Sequence, residues 1–130
     1  MKYMLLTYLD ENAWRDLRPD EQQKVMDDCD VYVQDLIHRG KFLAGSPLEH
    51  TSLGKTVRVR SGNPVITDGP FAETKEQVGG YTLIEADSLD EAAEIAAGFL
   101  SRSTFPGNIE VRPLVNLPGT PAVPGSERAS

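Results

Sequence analysis

The chain has 130 residues, of which 39% are hydrophobic and 25% charged, and these are ordinary values for one globular domain. Twenty acidic residues against 13 basic residues give a net charge of −7, which argues against direct nucleic-acid binding. A single cysteine, Cys29, excludes an intramolecular disulfide, and two histidines are too few for a dense His/Cys metal cluster. We therefore expect neither a metal nor a cofactor.

The chain begins with an apolar stretch, residues 1–9, that is too short for a secretory signal and is typical of a central strand. No apolar run approaches the roughly 18 residues that a membrane-spanning helix needs. We expect a cytoplasmic protein that does not contact the membrane.

Two amphipathic helices are predicted from their ends and their apolar period. The first begins at Pro19 and ends at Gly40, since proline favours a first turn and glycine favours the left-handed residue after a last turn. Cys29 lies on its apolar stripe, where a buried, inert thiol is expected. The second helix begins with a capping box, in which Ser88 accepts from the Glu91 amide and Glu91 accepts from the Ser88 amide.

Strand patterns occupy residues 2–9, 41–48, 55–60, 64–67, 81–86 and 108–114, and the third and fourth form a hairpin. Without the inserted hairpin the order is β-α-β-β-α-β, which predicts an α+β, ferredoxin-like fold. Two helices would cover one face of a mostly antiparallel sheet. The other face would stay open, so we expect a homodimer formed through it. The domain should span residues 1–114, and a Pro/Gly-rich tail should span residues 115–130.

The stretch 67–81 has the composition of a site, with three carboxylates, one ammonium, one proline and three glycines between apolar strands. Asp68 precedes Gly69 and Pro70 in a turn, where its carboxylate is either a loop cap or a rigidly held functional group. Glu73 and Lys75 are close enough in sequence to share a pocket with it. Two neighbouring carboxylates can divide the roles of acid and base, so Asp68 and Glu73 are the catalytic candidates.

Further ligand contacts are assigned to side chains on neighbouring strands. Lys75 would stabilise an anion, and Arg58, Tyr81 and Arg112 would bind the ligand; Arg58 is otherwise a solvated strand charge. His50 lies in a polar loop, where a histidine can be functional, although no neighbouring motif assigns it a role.

The string from Thr67 to Glu76, TDGPFAETKE, followed by Gly79-Gly80-Tyr81 and by the EVRPL run at residues 110–114, resembles the DGPF branch of the YCII-related family. The likeness covers residues 1–114. It implies a ferredoxin-like fold of the dimeric α/β-barrel type, a largely undefined activity, and an association with extracytoplasmic-function sigma factors. In the sister branch a first-helix histidine pairs with an aspartate. Aligned on Gly40, that histidine falls at Cys29, and the aspartate corresponds to Asp68.

Three hypotheses follow from the sequence. In the first, a pocket around Asp68 binds a small polar metabolite, with acid/base catalysis as its enzymatic form. In the second, the chain is a non-enzymatic regulatory protein that binds a sigma factor or another regulator through its acidic surface or its tail. In the third, the motif serves only the fold and the dimer.

Overall fold

The computed structural model describes residues 1–116, and its helices and strands appear in the predicted order with two additions, a short helix after the first strand and a 3-10 turn at Thr51–Leu53. The elements are β1 (Lys2–Leu9), α1 (Glu11–Arg15), α2 (Pro19–His38), β2 (Phe42–Pro47), β3 (Lys55–Arg60), β4 (Asn63–Asp68), β5 (Gln77–Glu85), α3 (Leu89–Arg102) and β6 (Asn108–Pro113). Apart from Val115 and Asn116, the predicted tail 115–130 lies outside the described residues.

The main sheet has four strands in the order β2-β5-β1-β6, and every neighbouring pair is antiparallel. The long β1 strand is central, as its apolar residues on both faces predict. Strands β3 and β4 form a separate two-stranded sheet between β2 and β5 in the chain. This topology confirms the α+β, ferredoxin-like fold with an inserted hairpin.

Helices α2 and α3 pack on one face of the sheet and enclose the core. Tyr3 and Leu5 of β1 and Ile84 of β5 are buried there against Tyr32 and Leu36 of α2. The hydroxyl of Tyr32 donates to the Ile95 carbonyl of α3 at 2.9 Å, so the one polar atom of this ring is satisfied.

The predicted helix ends are confirmed in most respects. Helix α2 begins at Pro19, and Gly40 after its last turn has a φ of +70°. At α3, Ser88 Oγ accepts from the Glu91 amide at 3.1 Å, as predicted. The Glu91 carboxylate, however, accepts from the Asp87 amide at 2.8 Å rather than from Ser88. The prediction of a buried Cys29 is wrong, and Cys29 is exposed. It lies on the same side of α2 as the buried Tyr32 and Leu36, but earlier in the helix, where the core no longer covers that side.

Strand β5 begins at Gln77, four residues earlier than predicted, and contains a bulge at Gly79. The register against β1 shifts between Thr7 and Tyr8, and Gly79 is the residue of β5 left without a partner. A Cβ atom at Gly79 would lie 2.8 Å from Leu9 Cδ2, so only glycine fits without displacing Leu9. Glycine at this position thus accommodates the bulge beside the Leu9 side chain.

The other face of the sheet carries the even-numbered residues of β1 and their partners, among them Leu6 opposite Tyr81. Neither α2 nor α3 packs on that face. Among residues 1–116, no helix is both long and apolar enough to cross a membrane.

Candidate functional site

A cleft of about 330 Å³ lies at the end of the sheet where β1 and β2 finish and β5 begins. Three separate segments of the chain line it: Glu11 and Asn12 of α1, residues 50–52 after β2, and seven residues between Asp68 and Gln77. The antiparallel register places Leu9 opposite Gln77. Because α1 begins two residues after Leu9, its first residues lie next to the loop that follows the hairpin. The cleft is therefore a product of the sheet topology.

Asp68, the last residue of β4, presents its carboxylate to this cleft. Its Oδ1 lies 2.6 Å from Lys55 Nζ, and 84% of its side chain is exposed. The backbone turns sharply at Gly69, whose φ is +83° and whose amide donates to the Gly54 carbonyl at 2.9 Å. The hydrogen bond from Lys55 differs from the predicted loop cap, in which the Asp68 carboxylate would accept from a downstream amide. The carboxylate is thus held from one side and accessible from the other.

Glu73 and Lys75 belong to the loop between β4 and β5, and both line the cleft. The loop is held in place by Gln77, whose side-chain amide donates to the carbonyls of Ala72 at 2.9 Å and Thr74 at 3.3 Å. Asp68, Glu73 and Lys75 therefore converge on one cavity, as the motif predicts. Their chemical roles stay predictions.

His50 enters the same cleft and is held by both ring nitrogens. The Ser52 amide donates to Nδ1 at 3.1 Å, so in the neutral ring the hydrogen lies on Nε2. Nε2 is 2.9 Å from Asn12 Oδ1 and 3.5 Å from Glu11 Oε1. The ring therefore has a defined orientation beside a carboxylate.

Glu11 ties the beginning of α1 to the loop that carries His50. Its side chain is only 12% exposed, and its carboxylate accepts from the Thr51 amide at 3.0 Å and from the Thr51 hydroxyl. These contacts join segments that are 40 residues apart in the sequence. Sequence reasoning missed Glu11 and Asn12 because no motif marks them. The sequence analysis singled out His50, but nothing in the sequence showed that Glu11 and Asn12 lie beside its ring.

The other three predicted site residues lie outside the cleft lining. Arg58 extends from the hairpin and donates through Nη2 to the Phe71 carbonyl at 3.2 Å. Tyr81 and Arg112 lie on the uncovered face of the main sheet, where Arg112 Nη1 is 3.9 Å from Glu110 Oε2. Cys29, at the position aligned with the sister-branch histidine, is on α2 and also outside the cleft. The histidine of this cleft thus comes from a different element.

The cleft combines carboxylates, one imidazole, one ammonium and several hydroxyl and amide groups, which suits a polar ligand and proton transfer. Within residues 1–116, no three His, Cys, Asp or Glu side chains are grouped so that they could hold a metal ion.

The comparisons with known proteins agree with this fold. Residues 1–117 match the model of the YCII-related domain. An uncharacterized protein of Rhizobium meliloti (strain 1021) is 37% identical over 114 residues, which cover 88% of this chain and 92% of that protein. The chain therefore belongs to the YCII-related family.

Proposed function

We propose that the cleft beside Asp68 binds a small polar metabolite. One observation carries this proposal: five charged or titratable side chains from three separate segments, Glu11, His50, Asp68, Glu73 and Lys75, line a single open cavity. Its volume of about 330 Å³ is at the lower end of the range found for small-molecule sites. The proposal requires no cofactor and no metal.

The enzymatic form of the proposal is acid/base catalysis by the carboxylates. Both ring nitrogens of His50 already form hydrogen bonds, so neither is free to take a proton from a ligand, and the ring forms part of the wall of the cleft. Asp68 is far more accessible, with 84% of its side chain exposed, which makes it the better candidate for a general base. Glu73 is the second candidate, and Lys75 would stabilise negative charge on the ligand.

We also propose that the chain forms a homodimer through the uncovered face of the main sheet. Leu6 and Tyr81 lie opposite each other on that face, away from both long helices, and 36% of Tyr81 is exposed. Covering such a face with a second copy would remove apolar surface from water.

Binding can be tested by screening pools of polar metabolites against the full chain by ligand-observed NMR. The Asp68→Asn variant should lose the binding or turnover of any hit while its melting temperature stays close to that of the wild type. The ion pair with Lys55 is exposed, and such pairs contribute at most about 1 kcal/mol. Asp30→Asn, an exposed change on α2 away from the cleft, is the matched control. Retained binding with a melting temperature lowered by several degrees would show that Asp68 only supports the turn.

The alternative function is a regulatory one, in which the chain binds an extracytoplasmic-function sigma factor or another regulator without catalysis. The family resemblance and the acidic exposed side of α2, which includes Asp20, Asp27 and Asp35, favour this hypothesis. Deleting residues 115–130 separates the two functions, because a regulator that uses the tail should lose its partner in a pull-down while a metabolite-binding cleft should keep its ligand. Cytoplasmic location stays a prediction under both.

A further inference from the structure

The hairpin β3-β4 stands apart from the rest of the described chain. Its strands pair only with each other, and no helix or other strand packs substantially on them. A two-residue turn, Ser61-Gly62, closes it with both φ angles positive, which matches the right-handed twist of the strands. An isolated two-stranded hairpin is only marginally stable in water. A hairpin without other contacts is therefore stabilised when its apolar face packs on another surface.

One face of the hairpin is apolar along most of its length. Cross-strand partners share a face, so Val57 and Ile66 lie side by side, followed by Val59 and Pro64 toward the tip. Val57 is 63% exposed, Val59 71% and Ile66 61%. The opposite face is polar and carries Arg58 and Arg60. These neighbouring apolar side chains, on strands that no other element covers, make this face of the hairpin a candidate interaction surface.

The net charge of the hairpin indicates which kind of molecule it attracts. The hairpin Lys55–Asp68 carries three cations against one carboxylate, a net charge of +2, in a chain whose net charge is −7, so all the other residues together carry −9. The body of a second copy is thus electrostatically complementary to this arm.

The area that a stable dimer interface buries also favours a second copy of the chain as the partner. Four strands of about six residues present a flat face of roughly 400 Å², about half of the 800 Å² per partner that stable interfaces bury. One face of the hairpin covers about 200 Å² at the same strand spacing, and the surface that receives the partner's arm adds as much again. Sheet and arms together reach the size of a stable dimer interface.

We propose that the hairpin Lys55–Asp68 is an arm whose apolar face docks on the acidic body of a second copy of this chain, and that this contact bounds the cleft at Asp68. The coupling to the cleft follows from the register, because Lys55 and Asp68 lie on the same face as Val57 and Ile66. This inference rests on the proposed homodimer and extends it.

The test measures the dimer dissociation constant of the full-length chain by analytical ultracentrifugation. Val57→Thr combined with Ile66→Thr keeps the β-branched shape and the strand propensity but makes the patch polar. We expect the dimer dissociation constant to rise about tenfold or more, because each arm replaces two buried apolar side chains with polar ones. Val65→Thr changes the opposite face of the same hairpin and is the matched control, which should leave the constant unchanged.

A second variant tests the charge argument without touching the apolar face. Arg60→Glu should weaken the dimer and reduce the dependence of its dissociation constant on salt. Hydrogen exchange at the Gly69 amide, which donates to Gly54 at the base of the arm, should be slower in the dimer than in the double threonine variant.

The possible results distinguish the docking of the hairpin from the formation of the dimer through the main sheet. A wild-type dimer whose dissociation constant is the same in the double variant and in Val65→Thr would overturn the arm while leaving the sheet-face dimer standing. A wild-type chain that is monomeric at every concentration would overturn both. If the Gly69 amide exchanges its hydrogen at the same rate in the dimer and in the monomer, the proposal that the docked hairpin bounds the cleft is overturned.

Discussion

The Glu11 carboxylate is the structural link on which the cleft depends, and replacing it with glutamine tests that dependence. In the wild type it accepts two hydrogen bonds from Thr51, one of them from the amide at 3.0 Å, in a setting where only 12% of the side chain is exposed. Glutamine keeps the shape but has one acceptor oxygen, so one of the two donors loses its partner.

The magnitude follows from the loss of one charge-assisted hydrogen bond in a largely buried place. Such bonds contribute about 1.5–3 kcal/mol each, so Glu11→Gln should lower the free energy of unfolding by roughly 2 kcal/mol. For a chain of this length that corresponds to a fall in melting temperature of roughly 6–10 °C. The amide of Thr51 should also exchange its hydrogen faster, because its acceptor is the weakened group.

Urea unfolding with linear extrapolation measures the first effect, and hydrogen exchange read by NMR measures the second. Glu94→Gln, an exposed change on α3, is the control and should stay within about 0.5 kcal/mol of the wild type. In a double-mutant cycle with Thr51→Val, the two changes should be strongly non-additive because they remove the same contact. A Glu11→Gln protein as stable as the control, with unchanged exchange at Thr51, would refute the reasoning.

Two further predictions concern the scaffold. Gly98→Ala should destabilise the fold by about 1–3 kcal/mol, because its Cβ would lie 2.5 Å from Tyr32 Cζ in a packed core; thermal unfolding measures the loss. The pKa of Glu91 is held below its usual value of 4.5, first by the Asp87 amide and then by the Lys41 ammonium. A lowered folded pKa contributes stability above pH 4.5 that is lost as the pH falls through the folded value. The free energy of unfolding, measured as a function of pH, should therefore be higher for the wild type than for Glu91→Gln at neutral pH, and this difference should disappear in acid.

Each of these predictions has its own check. Ala97→Gly, on the exposed side of the same helix, isolates the helix-propensity term of about 1 kcal/mol, which in Gly98→Ala acts in the opposite direction to the clash. A Gly98→Ala protein more stable than the wild type would mean that Tyr32 moves aside at no cost. For Glu91, a difference in the free energy of unfolding between wild type and variant that stays constant from neutral to acid pH would contradict the contacts with the Asp87 amide and the Lys41 ammonium.

Much of the local structure could be predicted because its causes lie within a few residues. Pro19 and Gly40 mark the ends of α2 through backbone geometry alone, and Ser61-Gly62 closes a hairpin for the same reason. The alternation of polar and apolar residues identified the strands. The motif at Asp68 also identified the loop that lines the cleft.

Other features depended on contacts between distant segments. Cys29 was expected in the core because it lies on the apolar stripe of α2, but a stripe does not specify how far along the helix other elements cover it, and burial begins only at Tyr32. Tyr81 and Arg112 were expected beside Asp68, but the register of the sheet directs both to the uncovered face.

The sequence by itself determined both ends of α2, the order of strands and long helices that leads to the ferredoxin-like topology, and the loop that carries Asp68, Glu73 and Lys75. Each of these depends on propensities and patterns that act over one or two turns of chain. Only the tertiary structure decided that Glu11 and His50 join that loop. Their meeting results from the pairing of β1 with β5, and no local property of either residue records it.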